Sequence, residues 1–276
     1  MFNEFISPGV PWLIFWVFVA LAVLIQGISK SGFAGGAGIL SLPLMMLVMP
    51  VDKVAATLLP ILILCDLNAI YTHRENKVWG PIMEIYLPAV AGILLGALVW
   101  WYVGREGVEK FEAPLKRFVG VIAIVFALYI AAKETSMRWV ERHRAGRKTA
   151  LAAGVAAGFT STIAHAAGPI VSLFLFSKGL GKTLFVGTVA WTFTLINLTK
   201  LPFYLAVGLV DFSVLRFDVV LVPLVPLGSY LGRWMHHRVS ESMFNRIILV
   251  LTVIAGVQLL FNIKIIQITL DILLPK

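Results

Sequence analysis

Seven apolar runs, each about as long as a bilayer is thick, constrain this chain more than any other feature. They lie near 11–29, 54–71, 82–103, 115–132, 184–206, 214–232 and 244–262. A helix needs about 20 predominantly apolar residues to cross the hydrocarbon core. Inside lipid the backbone must satisfy its own hydrogen bonds, and runs of this length do so as helices. Composition agrees: 59% of the residues are hydrophobic and 13% charged, where soluble chains average about half and about a quarter. The expected class is therefore an all-α, polytopic membrane protein with the lipid bilayer as its main partner. Met1 to Pro11 holds no Lys or Arg, so it lacks the basic start of a cleavable signal, and the first run is expected to be retained.

Three further apolar runs, near 38–50, 150–163 and 167–177, are too short to span comfortably. The first follows the break Lys30-Ser31-Gly32-Phe33-Ala34-Gly35-Gly36-Ala37-Gly38. The other two flank Thr160-Ser161-Thr162-Ile163-Ala164-His165-Ala166-Ala167-Gly168-Pro169. Glycine weakens a helix and proline suits the first turn of a new one, so these read as discontinuous helices broken inside the membrane. Gly38-Ile39-Leu40 aligns with Gly168-Pro169-Ile170, and each break precedes a run with an internal Asn, Asn68 or Asn197. The chain thus divides into a first repeat of five segments (1–132), a linker (133–149), a second repeat of five (150–262) and a tail (263–276).

Charge orients these segments. The linker carries Lys133, Arg138, Arg142, Arg144, Arg147 and Lys148 and is assigned to the cytoplasm. Counting spans outward from it puts 72–81, 178–182 and the Arg233–Arg246 loop inside. The loops 104–114 and around Asp211 fall outside, and both termini are periplasmic. The halves then have opposite orientation, an inverted-topology repeat with re-entrant helices meeting near the midplane. The net charge of +9 belongs to this topology and does not imply a nucleic-acid partner. Trp100, Trp101 and Tyr102 end a span and fit an interfacial aromatic belt.

In that arrangement two half-helices point their N-termini at the membrane centre, where free N–H groups and the positive dipole ends suit an anion. Gly35, Gly36, Gly38 and Gly168 allow close approach of the backbone, or simply close helix packing. Ser29, Ser31, Ser161 and Thr162 offer hydroxyl donors. Lys200 could neutralise an anion, pair with Asp66 or snorkel to an interface; Lys30 has the same latitude. Asp66 and His165 are candidate proton carriers, since ionisable groups at such depth tend to line cavities or pair. Asn68, Asn197 and Tyr204, the last on one helical face with Lys200, complete the candidate substrate-binding set. The single cysteine, Cys65, excludes a disulfide framework, and no metal or cofactor motif is present.

Gly27-Ile28-Ser29-Lys30-Ser31-Gly32-Phe33 with Gly35-Gly36-Ala37-Gly38 resembles the glycine-rich signature of the TauE/SafE sulfite exporter family, also called the 4-toluene sulfonate uptake permeases. Gly158-Phe159-Thr160-Ser161 and Asn197-Leu198-Thr199-Lys200 resemble its repeated counterpart over roughly 12–262, although His165-Ala166-Ala167-Gly168 stands in place of a run of glycines. The resemblance implies export or uptake of sulfite, sulfonates or related organosulfur anions by secondary transport, and the expected function is an inner-membrane exporter of such an anion, sulfoacetate for example, coupled to the proton gradient by alternating access. The alternatives are an anion channel, an uptake permease for another small anion, or an enzyme. A channel needs a continuous polar lining, whereas the polar groups here cluster at two breaks. An enzyme needs a nucleophile or metal constellation, and His165 has no motif partner while the other histidines fall in loop regions.

Overall fold

The structure, a computed structural model, describes residues 2–32, 36–132 and 145–263. Gly35, the linker stretch 133–144 with Lys133, Arg138, Arg142 and Arg144, and the tail 264–276 lie outside the described residues. Among the described residues all regular structure is helical. In chain order the helices are α1 (Trp12–Gly32), α2 (Ser41–Met46), α3 (Val51–His73), α4 (Trp79–Glu106) and α5 (Val108–Ala131). They continue with α6 (Arg147–Ala164), α7 (Gly168–Phe176), α8 (Lys182–Ala206), α9 (Phe212–Leu221), α10 (Leu224–Arg238) and α11 (Glu241–Leu260). Four of them (α1, α3, α4, α8) are long and apolar enough to cross a membrane, and α9 with α10 makes a fifth if that bent pair is one span.

Both sequence breaks are hairpins. After α1 the chain returns through a 3-10 turn, Gly36–Leu40, into α2. Gly38 N–H donates to Ser29 Oγ at 2.8 Å, Gln26 Nε2 donates to Gly38 O at 3.0 Å, and Ser41 Oγ donates to Ala22 O at 2.8 Å. These rungs lay the returning segment antiparallel along α1. The second hairpin turns at His165, whose φ of 47° is left-handed. Its N–H donates to Ser161 O and that of Ala166 to Thr160 O, which closes α6 with its last carbonyls satisfied. Pro169 then sits in the first turn of α7. At 1.5 Å per residue α2 and α7 are about 9 and about 14 Å long, well short of a span of about 30 Å.

Three expectations change. The run 214–232 is not one straight helix, because α9 and α10 meet at a 42° bend. Pro223 and Pro226 at the junction remove backbone donors and crowd the preceding turn. Trp100 does not join an interfacial belt. It is buried and its Nε1 donates to Thr162 O at 3.0 Å, while Trp101 and Tyr102 are exposed as expected. Neighbours on a helix point about 100° apart, so one member of such a run can face inward. Of the other histidines, His73 closes α3 and His236 and His237 lie in the last turn of α10, not in loops.

The helices pair closely where they are smooth. α4 packs along α6, α1 along α10, α5 along α11, and α3 crosses α8. A Cβ at Gly158 would stand 2.0 Å from Ala89 O, and one at Gly27 would stand 2.9 Å from Gly228 Cα. At these crossings backbone meets backbone, a geometry that small residues permit.

Candidate functional site

Between the two hairpins lies a cavity of about 70 Å³, several times the ~10–15 Å³ that a single water needs. Gln26 and Lys30 of α1, Gly38 of the first return and Ser161, His165 and Gly168 of the second hairpin form its polar wall. Asp66 of α3 and Asn197 of α8 complete it, against Ile39, Leu62, Val186, Val189, Ala190 and Phe193. The lining runs along α3 to Ala69, four residues from its end, and along α8 back to Val186, four residues from its start. The cavity therefore reaches toward the side that carries the 74–78 and 177–181 loops. In the other direction α3 is packed solid, with Val51, Val54, Ala55, Leu58 and Leu59 fully buried.

Two polar networks frame the cavity. In the first, Lys30 Nζ pairs with Asp66 Oδ1, and Asn197 Nδ2 donates to Asp66 Oδ2 at 2.6 Å. Both carboxylate oxygens are thus occupied, and the Lys30 charge is neutralised in place. Lys30 also lies 5.7 Å from the Phe193 ring centroid. Asp66 and Asn197 each stand fifteen residues after the first residue of their helices and meet where α3 and α8 cross. Asn197 thus meets Asp66, whereas Asn68 meets Ser229 of α10.

The second network is centred on Lys200, which is fully buried. Its Nζ stands 3.1 Å from each of Ser161 O, Ser161 Oγ and His165 Nδ1. His165 Nε2 lies 2.9 Å from Ala55 O. A carbonyl only accepts, so Nε2 carries a proton. Nδ1 then accepts an N–H from Lys200 when the ring is neutral, which an ammonium and a neutral amine can each donate, or it donates to a neutral amine when the ring is an imidazolium. Among the described residues no carboxylate pairs directly with Lys200 or His165, since Asp66 is taken by Lys30 and Asn197. Ser161 Oγ hydrogen-bonds Lys200 Nζ where Ser161 lines the cavity. α7 begins at Gly168 with no side-chain cap, so its first-turn N–H groups, and the positive end of its dipole, are available at the cavity wall.

The structure brings together Lys30, Gly38, Asp66, Ser161, His165, Gly168 and Asn197 from the sequence candidates. Others stand apart from the lining. Lys200 acts from directly behind Ser161 and His165, and pairs with neither Asp66 nor an interface. Thr162 is fully buried, its hydroxyl donating to Gly158 O, and Tyr204 OH donates to Thr162 O at 2.5 Å beside Trp100. Ser29 is spent on Gly38. Asn68 Nδ2 donates to Ser229 Oγ at 2.9 Å, tying α3 to α10. Ser31 is half-buried, and Gly36 opens the 3-10 turn. Gln26 is a lining residue that the sequence reading missed. Its signal was present, as a polar residue four positions before Lys30 on one face of an apolar helix.

Residues 18–259 match the family described as Sulfite exporter TauE/SafE. No curated protein and no solved structure matches the chain. The matched region contains both hairpins, most of every apolar span and every residue of the cavity. The chain is a multi-pass membrane protein and belongs to the TauE/SafE sulfite exporter family, a family of sulfur-anion transporters.

Proposed function

We propose that this protein is a secondary transporter that binds a small sulfur-containing oxyanion in the cavity between its two hairpins and exports it by alternating access, with coupling to the proton gradient. The observation that carries this reading is the polar cavity between the hairpins, with Lys200 and His165 in contact behind its wall and the nearest carboxylate already paired. A buried ammonium without a counter-ion is costly, so anion binding and protonation of Lys200 favour one another. Ser161 O–H and the N-terminus of α7 supply donors in directions that suit a tetrahedral or pyramidal oxyanion. Lys200 and His165, together with Asp66, give the site titratable groups through which proton and anion binding can be linked.

The transport cycle rests on the inverted repeat, which we propose as 1–132 and 150–262 joined by a cytoplasmic linker. Its support is reciprocal packing. The first helix of each unit packs on the fourth segment of the other (α1 with α10, α6 with α4), while third segments cross and fifth segments pair. With the basic loops inside, the N-terminus and C-terminus lie in the periplasm of an inner-membrane protein, and the cavity is inward-facing. The solid packing of α3 beyond Ala55 disfavours a channel. In proteoliposomes loaded with unlabelled sulfite or a sulfonate, external labelled substrate should exchange inward, and an imposed proton gradient should change its net flux. Absence of exchange for every oxyanion tested would sink the proposal.

A further inference from the structure

We propose that Asp218 is a proton switch for the outer half of the molecule, holding a proton while that half is closed and releasing it to periplasmic water when that half opens. This inference rests on the alternating-access reading and names a group through which protons act on it. Asp218 stands six residues after Phe212, the first residue of α9, on a face with Val214, Phe217 and Leu221, all buried. Asp218 itself is only 4% exposed, and neither of its carboxyl oxygens has a hydrogen-bond partner. α9 packs on α3, where fully buried Thr57 stands six residues after Val51 with its hydroxyl likewise unpartnered. Both helices run inward from the periplasmic face in the proposed topology, so each group lies about 9 Å from its helix start. A third unpartnered group, Nε1 of Trp16 on α1, belongs to a ring 5.6 Å from that of Phe217.

No neighbouring element brings Asp218 a counter-charge. On α3, Lys53 pairs with Glu4 at 3.5 Å, Asp52 is itself an acid, and Asp66 holds Lys30 further in. Glu4 of the N-terminal segment also accepts from Ser213. On α9, Asp211 accepts from Val214 N–H at 2.8 Å, and Arg216 lies 5.7 Å from the ring centroid of exposed Phe212. α1 has no titratable residue before Lys30. A carboxyl kept for structure would bond a neighbour, whereas this one bonds none. An unpaired carboxylate is costly in such packing, which fits the neutral acid instead. Once the outer half opens, the Asp218 O–H bond breaks, its proton passes to water and the carboxylate is hydrated. A proton held by the closed state and lost from the open one shifts their equilibrium by up to about tenfold per pH unit, toward the open state as pH rises.

The test places a reporter in the closed half. Leu58 of α3 is fully buried and native Cys65 is buried, so Leu58→Cys in a Cys65→Ala background reacts with a small water-soluble thiol reagent only when that half opens. Its reaction rate is measured in the purified full-length protein from mildly acidic to mildly alkaline pH, with and without Asp218→Asn. Dividing the two rates cancels the ionisation of the reporter thiol. The quotient, rate with Asp218 over rate with Asn, should rise with pH by up to about tenfold per unit. A quotient independent of pH overturns the inference, and labelled-sulfonate exchange by the same protein then leaves the transporter reading in place. Absence of exchange for every oxyanion counts against the transporter reading instead. Asp218→Leu is a second neutral reference and should give the same pH profile. Failure of both variants to fold also overturns the inference, because a carboxyl without partners has no bond to lose.

Discussion

Lys200→Met removes the amine behind the cavity wall, whose ammonium form is the proposed counter-charge of a bound anion, while keeping a chain of similar length. Lys200 Nζ stands 3.1 Å from Ser161 Oγ and His165 Nδ1, and a ligand oxygen hydrogen-bonded beyond them lies about 6 Å away. At an effective dielectric constant of about 20, one charge pair at that distance is worth about 2.8 kcal/mol, or about 100-fold in affinity. Stability should move differently. Losing the amine leaves Ser161 O, Ser161 Oγ and His165 Nδ1 short of a donor, at roughly 1–3 kcal/mol each. Removing a buried amine also returns its cost of desolvation. These terms oppose one another, so the melting temperature in detergent should stay near that of the wild type or rise. Titration calorimetry with a sulfonate reads the first quantity and a thermal unfolding scan reads the second. Affinity within about threefold of wild type would refute the electrostatic role. A parallel collapse of melting temperature and binding would make Lys200 a structural residue.

Four other perturbations probe the same picture. Gly168→Ala places a methyl where no heavy atom lies within 4 Å. Stability should stay within about 0.5 kcal/mol, and affinity should fall roughly tenfold as the methyl enters the cavity; a thermal scan beside a binding titration separates the two. Gly158→Ala drives a Cβ to 2.0 Å from Ala89 O and should cost at least about 1–3 kcal/mol by prying α4 from α6, read as a lower melting temperature. Tyr204→Phe leaves Thr162 O with its Trp100 donor, so about 1 kcal/mol of stability should go while exchange flux persists; a flux lost as fully as in Lys200→Met would return Tyr204 to the binding set. Cysteines placed at Glu75 and Lys110, with native Cys65 buried, should react with impermeant reagents from opposite faces, and labelling from one face would defeat the topology.

The spans and the two breaks were legible because each is written locally. An apolar run of bilayer length has one stable answer in lipid, and a Gly-rich or Gly-Pro interruption has few. That is why Lys30, Ser161, His165, Gly168 and Asn197 were named from the chain and are found on one cavity. Which polar group meets which was not written locally. A crossing of α3 and α8 brings Asp66 to the helix that carries Lys200, while the hairpin of α1, closed by Gln26 and Ser29 on Gly38, is what delivers Lys30 to Asp66 and leaves Lys200 for His165. Helix phase explains the other differences. Asn68 is two positions from Asp66, which on a helix turns it toward Ser229 of α10 and away from the cavity. Trp100 faces Thr162 while Trp101 faces outward for the same reason. The bend between α9 and α10 was signalled by Pro223 and Pro226, which the apolar run around them outweighed in the sequence reading.

The most direct measurement is an experimental structure of the protein with bromoethanesulfonate, a singly charged sulfonate whose bromine can be located by its anomalous signal. The account predicts one site between the hairpins, with the sulfonate oxygens within hydrogen-bonding distance of Ser161 Oγ and the first N–H groups of α7 and with Lys200 directly behind. A sulfonate bound elsewhere, or a cavity left without it at saturating concentration, would contradict the assignment of this cavity as the anion site.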